Sequence, residues 1–451
     1  MNKVHALSLV LLLQGCLATS PDIEQPDQPV DWITNKENQA VVETDVSTLQ
    51  SWWKRFDDPV LDKLINIALD NNPDRDIAKA RISESRGLQR TQRSFLFPQV
   101  DVSASTGRED TGINNADSFY DAGFDASFEL DIFGENRQRV DASNYATDAA
   151  EYNYRDITLT LIGEVSRTYT RVREFQQQIT IAEKNLKIQL DTLELIRNQF
   201  SVGEVPQLDV ERSENLVNTT KASIPEFRRL ATNAKLQLIT LTGILPERLE
   251  NILLTKENIP AADVKPVLLS PANVLFIRPD IRAAFSQLQS NIALTQAEQA
   301  SIFPAFNLGA FYGVTDSAAL NSTTIWNVFI GGAFALLDFG RIEGRVDAAK
   351  AVEAQAYQTY RKAVLNAIQE VETAMNDYSE ISNRRVSLYN AYRNADKALQ
   401  LSAELFGEGE ISFLDVLDSQ RTANQADSEL VTAEAAQTES LIRLYKSLGV
   451  Y

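Results

Sequence analysis

The chain has 451 residues, 62 acidic and 43 basic, for a net charge of −19, and it holds one histidine and one cysteine. That balance repels nucleic acid and leaves no basic stripe to overcome the repulsion. Because His5 and Cys16 both lie in the first sixteen residues, any general base, nucleophile or metal site beyond them must use carboxylates, Lys, Ser or Tyr. This argues against an enzyme, a resident metal and a cofactor.

The N-terminus reads as a secretory signal over residues 1–15. Met1-Asn2-Lys3 supplies the positive start, Ala6 to Leu13 is almost continuously apolar, and Gly15 precedes Cys16. Leu13-Gln14-Gly15-Cys16 is similar to a bacterial lipobox, which implies cleavage before Cys16 and lipidation of its thiol. Leu17, in place of an Asp, would then favour sorting to the outer membrane. Removing 1–15 takes Lys3 away and leaves 62 acidic against 42 basic residues. Nothing after residue 16 approaches the ~20 apolar residues of a membrane helix. A chain at an outer membrane without such helices crosses it only as a closed β-barrel. Residues 16–56 read as a leader from the anchor, extended around Pro21, Pro26 and Pro29, with Trp52, Trp53 and Phe56 as packing residues.

The rest of the chain contains one unit twice, over 57–243 and 273–451. Pro73-Asp74 recurs as Pro279-Asp280, Phe97-Pro98 as Phe303-Pro304, and Phe133-Gly134 as Phe339-Gly340. Gly203-Glu204 recurs as Gly409-Glu410, Leu208-Asp209-Val210 as Leu414-Asp415-Val416, and Gly243 as Gly449, all at an offset of 206. Each unit reads helix, strand, strand, long helix, turn, helix. Helical spacing runs from Asp57 to Phe95, where Phe97-Pro98 stops it. Val100, Val102, Ala104 and Thr106 then alternate with polar residues, as do Phe124, Phe128 and Leu130 after a Gly, Asn and Asp-rich turn. This period of two predicts strands with one apolar and one polar face. The aromatics Phe119, Tyr120, Phe124 and Phe128 suit a lipid-facing band or an interface girdle.

Residues 135–200 form one periodic stretch, a helix of about 100 Å. A shorter helix is expected over 208–243. Residues 244–272, with Pro246, Pro260, Pro266 and Pro271, read as the inter-repeat connection. The second unit repeats the strands at 305–313 and 327–337, where Val328-Phe329-Ile330 weakens the alternation. Four strands per chain cannot close a barrel, and open edges in lipid are prohibitive. Two, three or four chains would each give an even strand total; three give twelve.

Over essentially all of its mature length the chain resembles the TolC-like outer-membrane efflux proteins, in particular the lipoprotein subgroup serving tripartite pumps. The resemblance rests on Trp52-Trp53-Lys54-Arg55-Phe56-Asp57-Asp58-Pro59, Asn72-Pro73-Asp74, Arg278-Pro279-Asp280 and the two Phe-Pro breaks. Leu337-Asp338-Phe339-Gly340-Arg341 and Leu414-Asp415-Val416-Leu417-Asp418-Ser419-Gln420-Arg421 complete it. It implies a mainly α fold with a transmembrane β-barrel: a homotrimer sharing twelve strands, continued by a long α-helical periplasmic barrel. It also implies a periplasmic adaptor and an inner-membrane pump as partners, with 244–272 as an equatorial segment. Val202, Gly203, Glu204, Gly407, Glu408 and Gly409 would form the adaptor-contacting tips. Asp415 and Asp418 would ring a periplasmic gate, with Arg421 tying a ring aspartate to a neighbour. Positions 415 and 418 share a helix face, as do 418 and 421. Asp415 and its counterpart Asp209 also read as helix-start acids. Some relatives carry a basic lock residue where this chain has Ile411, so that lock is excluded. The expected function is a passive exit duct for drugs or toxic small molecules, with protein secretion through the same architecture, or a periplasmic scaffold or enzyme, as the alternatives.

Overall fold

In the computed structural model, residues 29–33, 42–43, 46–109, 117–254, 258–261, 267–317 and 320–451 are described. The signal, Cys16 and most of the leader lie outside them. The described chain divides into a helical unit, Gln28–Ala80 with Tyr152–Ile281 and Val364–Tyr451, and a unit containing the sheet, Arg81–Glu151 with Arg282–Ala363.

Strand β1 (Val42–Glu43) and a 3-10 turn at Trp52–Phe56 lead into α1 (Pro59–Asn71). Asp58 caps α1, accepting from the N–H groups of Val60 and Leu61 at 2.9 Å each, and Pro59 occupies the first turn. The sequence predicts one helix from 57 to 95, but the chain breaks at Asn72, whose ψ is 125°. Proline crowds the residue before it out of the helical region, so Pro73 sets the break. Asn72 then makes it useful. Its Oδ1 accepts from Arg75 N–H at the start of α2 (Pro73–Ser94), and its Nδ2 donates to Leu241 O at 2.9 Å.

Strands β2 (Gln99–Glu109) and β3 (Asp117–Leu130) precede α3 (Glu135–Ser201), whose 67 residues match the expected long helix. Next come α4 (Gln207–Thr242), α5 (Pro246–Leu253), β4 (Val267–Leu268) and α6 (Pro271–Ile277). The second half follows as α7 (Pro279–Ala300), β5 (Ala305–Ser317), β6 (Leu320–Ala333), α8 (Arg341–Gly407) and α9 (Phe413–Ser447). Pro279 repeats the effect of Pro73, holding Arg278 at ψ 125° between α6 and α7.

In the helical unit β4 pairs in parallel with β1, and Trp32 Nε1 donates to Leu269 O at 2.7 Å, so the leader docks on the inter-repeat segment. Trp52 is fully buried, edge-on to Trp53 and Phe56 and 5.7 Å from the Tyr445 ring, which makes these aromatics core. Gly243 ends α4 at φ 65°, where a Cβ would meet Asn71 O at 2.2 Å. Its counterpart Gly449 presses in the same way on Arg278.

A buried charge chain crosses this core. Asp58 accepts from Tyr169 Oη at 2.7 Å; that oxygen accepts from Arg173 Nε at 2.9 Å; Arg173 also donates to Gln176 at 2.8 Å. Tyr169 and Arg173 have no solvent exposure. Burial pushes the Tyr169 hydroxyl well above its ordinary range, assisted by its bond to Asp58 and opposed by Arg173.

One carboxylate in this unit carries a pH prediction. Burial pushes Glu174 up to about 7, Glu439 repels it, and Arg171, paired with Glu439 at 2.9 Å, opposes the rise. A carboxyl whose folded value is raised favours the folded state below the unfolded value and loses that contribution as pH rises through about 7. Glu174→Gln is therefore expected to raise thermal stability at pH 8, by on the order of 1–2 kcal/mol after allowing for solvent screening, and to change little at pH 5. Melting curves at the two pH values decide it, since equal shifts at both would remove the assigned cause.

Candidate functional site

The sheet-containing unit presents four antiparallel strands in the order β2-β3-β5-β6. The register sets Val102, Phe124, Tyr312 and Trp326 in one row across all four, every one exposed. Val100, Ala126, Ala310 and Val328 form the adjacent row. This face is apolar and uncovered. The opposite face carries Asp101, Ser103, Asp121, Asp125 and Asn307. Ser103 donates to Asp125 at 2.6 Å, and Thr315 to Asp121 at 2.5 Å. Strands of 11 to 14 residues are long enough to cross a hydrocarbon layer when tilted.

Two expectations are corrected here. Phe119 does not join Tyr120, Phe124 and Phe128 on the apolar face, because neighbours along a strand point to opposite sides. It lies on the polar face against Gly107, its direct cross-strand partner. Phe329 covers Gly309, and Phe311 covers Gly123 and Gly313, in the same way. Aromatic rings laid over strand glycines shield backbone and fix register. The irregular Val328-Phe329-Ile330 is thus ordinary alternation, with Phe329 reaching a glycine. The other correction concerns β6, which covers 320–333 rather than 327–337.

The helical unit brings the two inter-helix turns together although they lie 206 residues apart. Ile196, Phe413, Val416 and Leu417 form a buried cluster, with Val205, Val210, Phe406 and Ile411 packed against it. Ile411, in the position of the missing lock, is therefore an apolar packing residue. The turns share one hydrogen-bond pattern. Gly203 N–H donates to Phe200 O at 3.0 Å and Glu204 N–H to Gln199 O at 2.9 Å; Gly409 and Glu410 repeat this on Phe406 and Leu405 at the same distances. Such a Schellman motif needs a left-handed residue, supplied by Gly203 at φ 81° and Gly409 at φ 78°. Val202, Gly203, Glu204, Gly407, Glu408 and Gly409 are all exposed.

Asp415 sits at the start of α9 in a capping box with Ser412. Its carboxylate accepts from the Ser412 hydroxyl at 2.6 Å and from the Ser412 N–H at 3.0 Å. Those bonds, the hydroxyl first, hold its carboxyl below the ordinary carboxylate range. Its counterpart Asp209 pairs with Arg212 at 3.3 Å. Asp418 and Arg421 stand exposed one and two turns further along α9. Asp415 is thus a structural cap, whereas Asp418 has no such duty.

A profile described as "Outer membrane efflux protein" matches residues 64–244 and 271–450. The chain is 29% identical over 466 residues to "Solvent efflux pump outer membrane protein SrpC" of Pseudomonas putida, covering 98% of this chain and 96% of the relative. It is 25% identical to "Probable outer membrane lipoprotein SilC" of Salmonella typhimurium, covering 99% and 98%. Among solved structures, the outer-membrane channel OprN aligns at a TM-score of 0.89 with 30% identity, over 96% of this chain and 99% of that one.

Proposed function

The chain belongs to the outer membrane efflux protein family, and from that premise we propose that three copies share one barrel and serve as the exit duct of a tripartite pump. The protein is an outer-membrane efflux channel that passively conducts small molecules outward. The observation that carries the trimeric reading is the four-stranded sheet, apolar and exposed on one face, polar on the other, with β2 and β6 unpaired at its edges. Lipid would cover the apolar face, and closure around an axis would turn the polar face toward water. Open edges in hydrocarbon are the alternative, and each unsatisfied backbone group there costs several kcal/mol.

The paired turns suit contact with a periplasmic adaptor: they are exposed, held by an apolar cluster, and built on the same hydrogen-bond motif. An inner-membrane pump would complete the assembly. Asp418, with Asp415 and Arg421 near it, would line the mouth, three copies of each around one axis. Crowded carboxylates attract cations, so this ring would restrict flow at rest. Cargo fits the drugs, solvents or toxic compounds that pumps of this family discharge. Deleting the gene should sensitise cells to some of these, and purified protein should form discrete channels in planar bilayers. A protein that neither conducts nor changes any sensitivity is not an exit duct.

Cys16, outside the described residues, is proposed as the lipidated N-terminus. The intact mass of membrane-extracted protein should exceed the polypeptide from residue 16 by a diacylglycerol and an acyl chain. Cys16→Ser should abolish the addition, and an unmodified wild type would end the claim.

A further inference from the structure

We propose that β6 of one copy joins β2 of the next in a single register, with Leu336 opposite the neighbour's Val100 and Phe334 opposite its Val102. Phe339 then stacks on the neighbour's Phe97. The inference rests on the shared-barrel reading and adds the residues that make the seam. Its template lies inside the chain. The β3–β5 junction joins the second strand of the first repeat to the first strand of the second repeat. The two edges left open among the described residues, β6 and β2, are the second strand of the second repeat and the first strand of the first. They are the same two kinds of strand. Shifting each partner by the 206-residue offset converts Leu130↔Phe306 into 336↔100, and Phe128↔Leu308 into 334↔102.

Three independent features fit that seam. First, the register pairs like with like. Leu336, Phe334, Val100 and Val102 are all exposed in the single chain, and the register sets them side by side on the apolar face. A slip of one residue would instead pair Phe334 with Asp101 or Ser103, putting an apolar side chain opposite a polar-face position. Second, β6 ends at Ala333 opposite Ala305, the first residue of β5, whereas β3 runs to Leu130, the counterpart of 336. Among the described residues no strand lies beside 334–336, and the neighbour's β2, which begins at Gln99, would supply one.

The third feature is aromatic. Phe133 stacks on Phe303 with centroids 4.6 Å apart and planes 16° apart. Their counterparts under the offset are Phe339 and Phe97, exposed by 97% and 65%. Gly134 and Gly340 have nearly the same φ, 86° and 85°, yet Phe339 alone of the two phenylalanines is left-handed, at φ 54°. A bulky aromatic seldom adopts that backbone. The two repeats therefore diverge at the position where one ring has its partner and the other does not. Charge does not repeat: Arg139 pairs with Glu298 at 2.9 Å, but the counterpart of Glu298 is Gln92. Strand register and ring stacking would therefore hold the seam.

Cys16 is the sole cysteine, so engineered pairs report cleanly. Val102→Cys with Phe334→Cys, in full-length protein in native membranes, should give covalent dimers and trimers on oxidation. The yield should exceed either single variant at least ten-fold. Val102→Cys paired with Gly332→Cys or with Leu336→Cys, one alternate position away, should link far less. Better linking by either slipped pair overturns the register and leaves the shared barrel standing. Failure of every pair in protein that native mass shows to be trimeric overturns the seam alone. A monomer whose β2 and β6 amides are protected from exchange removes the shared barrel with it.

Discussion

Asp418→Ala is expected to raise the conductance of the isolated channel several-fold and to weaken its block by divalent or trivalent cations added at the helical end. In the proposed trimer three Asp418 carboxylates would converge on one axis and offer oxygen ligands suited to hard cations, and removing them would take away both the ligand and the partner available to Arg421. Asp418 is the diagnostic position because its side chain is exposed and caps nothing. Asp415→Ala is a poorer probe, since it also dismantles the capping box with Ser412. Arg421→Ser should loosen the mouth while keeping the cation block. Asp209→Ala, already neutralised by Arg212 in the other repeat, should alter the block least. Single-channel recordings of Asp418→Ala, Arg421→Ser and Asp209→Ala decide the matter, and identical behaviour in all of them would reduce these acids to helix starts.

Asp58→Ala should be strongly destabilising in the helical unit, by about 2–4 kcal/mol, and should lower the yield of folded protein. Two losses combine. The cap on α1 disappears, worth about 1 kcal/mol, and the buried Tyr169 hydroxyl, which also accepts from Arg173, loses its carboxylate acceptor. Tyr169→Phe keeps the ring beside Arg173, 4.9 Å from centroid to guanidinium carbon, and removes only the bridging hydroxyl. It should cost less, on the order of 1–3 kcal/mol. Denaturation midpoints in detergent would rank the two. Equal costs would mean that the hydroxyl, rather than the buried charge, dominates.

Some corrections share a cause. Sequence spacing predicts one helix through Asn72, because apolar residues recur at helical spacing on both sides of it. The break appears only once the pre-proline restriction is applied to that residue. Composition ignores strand face, so Phe119 falls with its aromatic neighbours until the glycine across the ladder gives its place. Asp415 offered two readings, and the Ser412 bonds give it a capping duty whatever else it does.

The amino-acid sequence by itself determined the duplication, the long helices of α3 and α8, the two-faced strands and the absence of histidine beyond residue 5. Those are properties of spacing and composition, which local geometry turns directly into helix and strand faces. How elements far apart in the chain meet is visible only in the folded molecule. It set the β3–β5 register, the packing of two turns 206 residues apart into one apolar cluster, and the line from Asp58 through Tyr169 to Arg173. Such contacts join residues of high sequence separation, and no local pattern encodes them. Which partners meet is chosen by the simultaneous burial of apolar surface and the pairing of every polar group that goes inside with it.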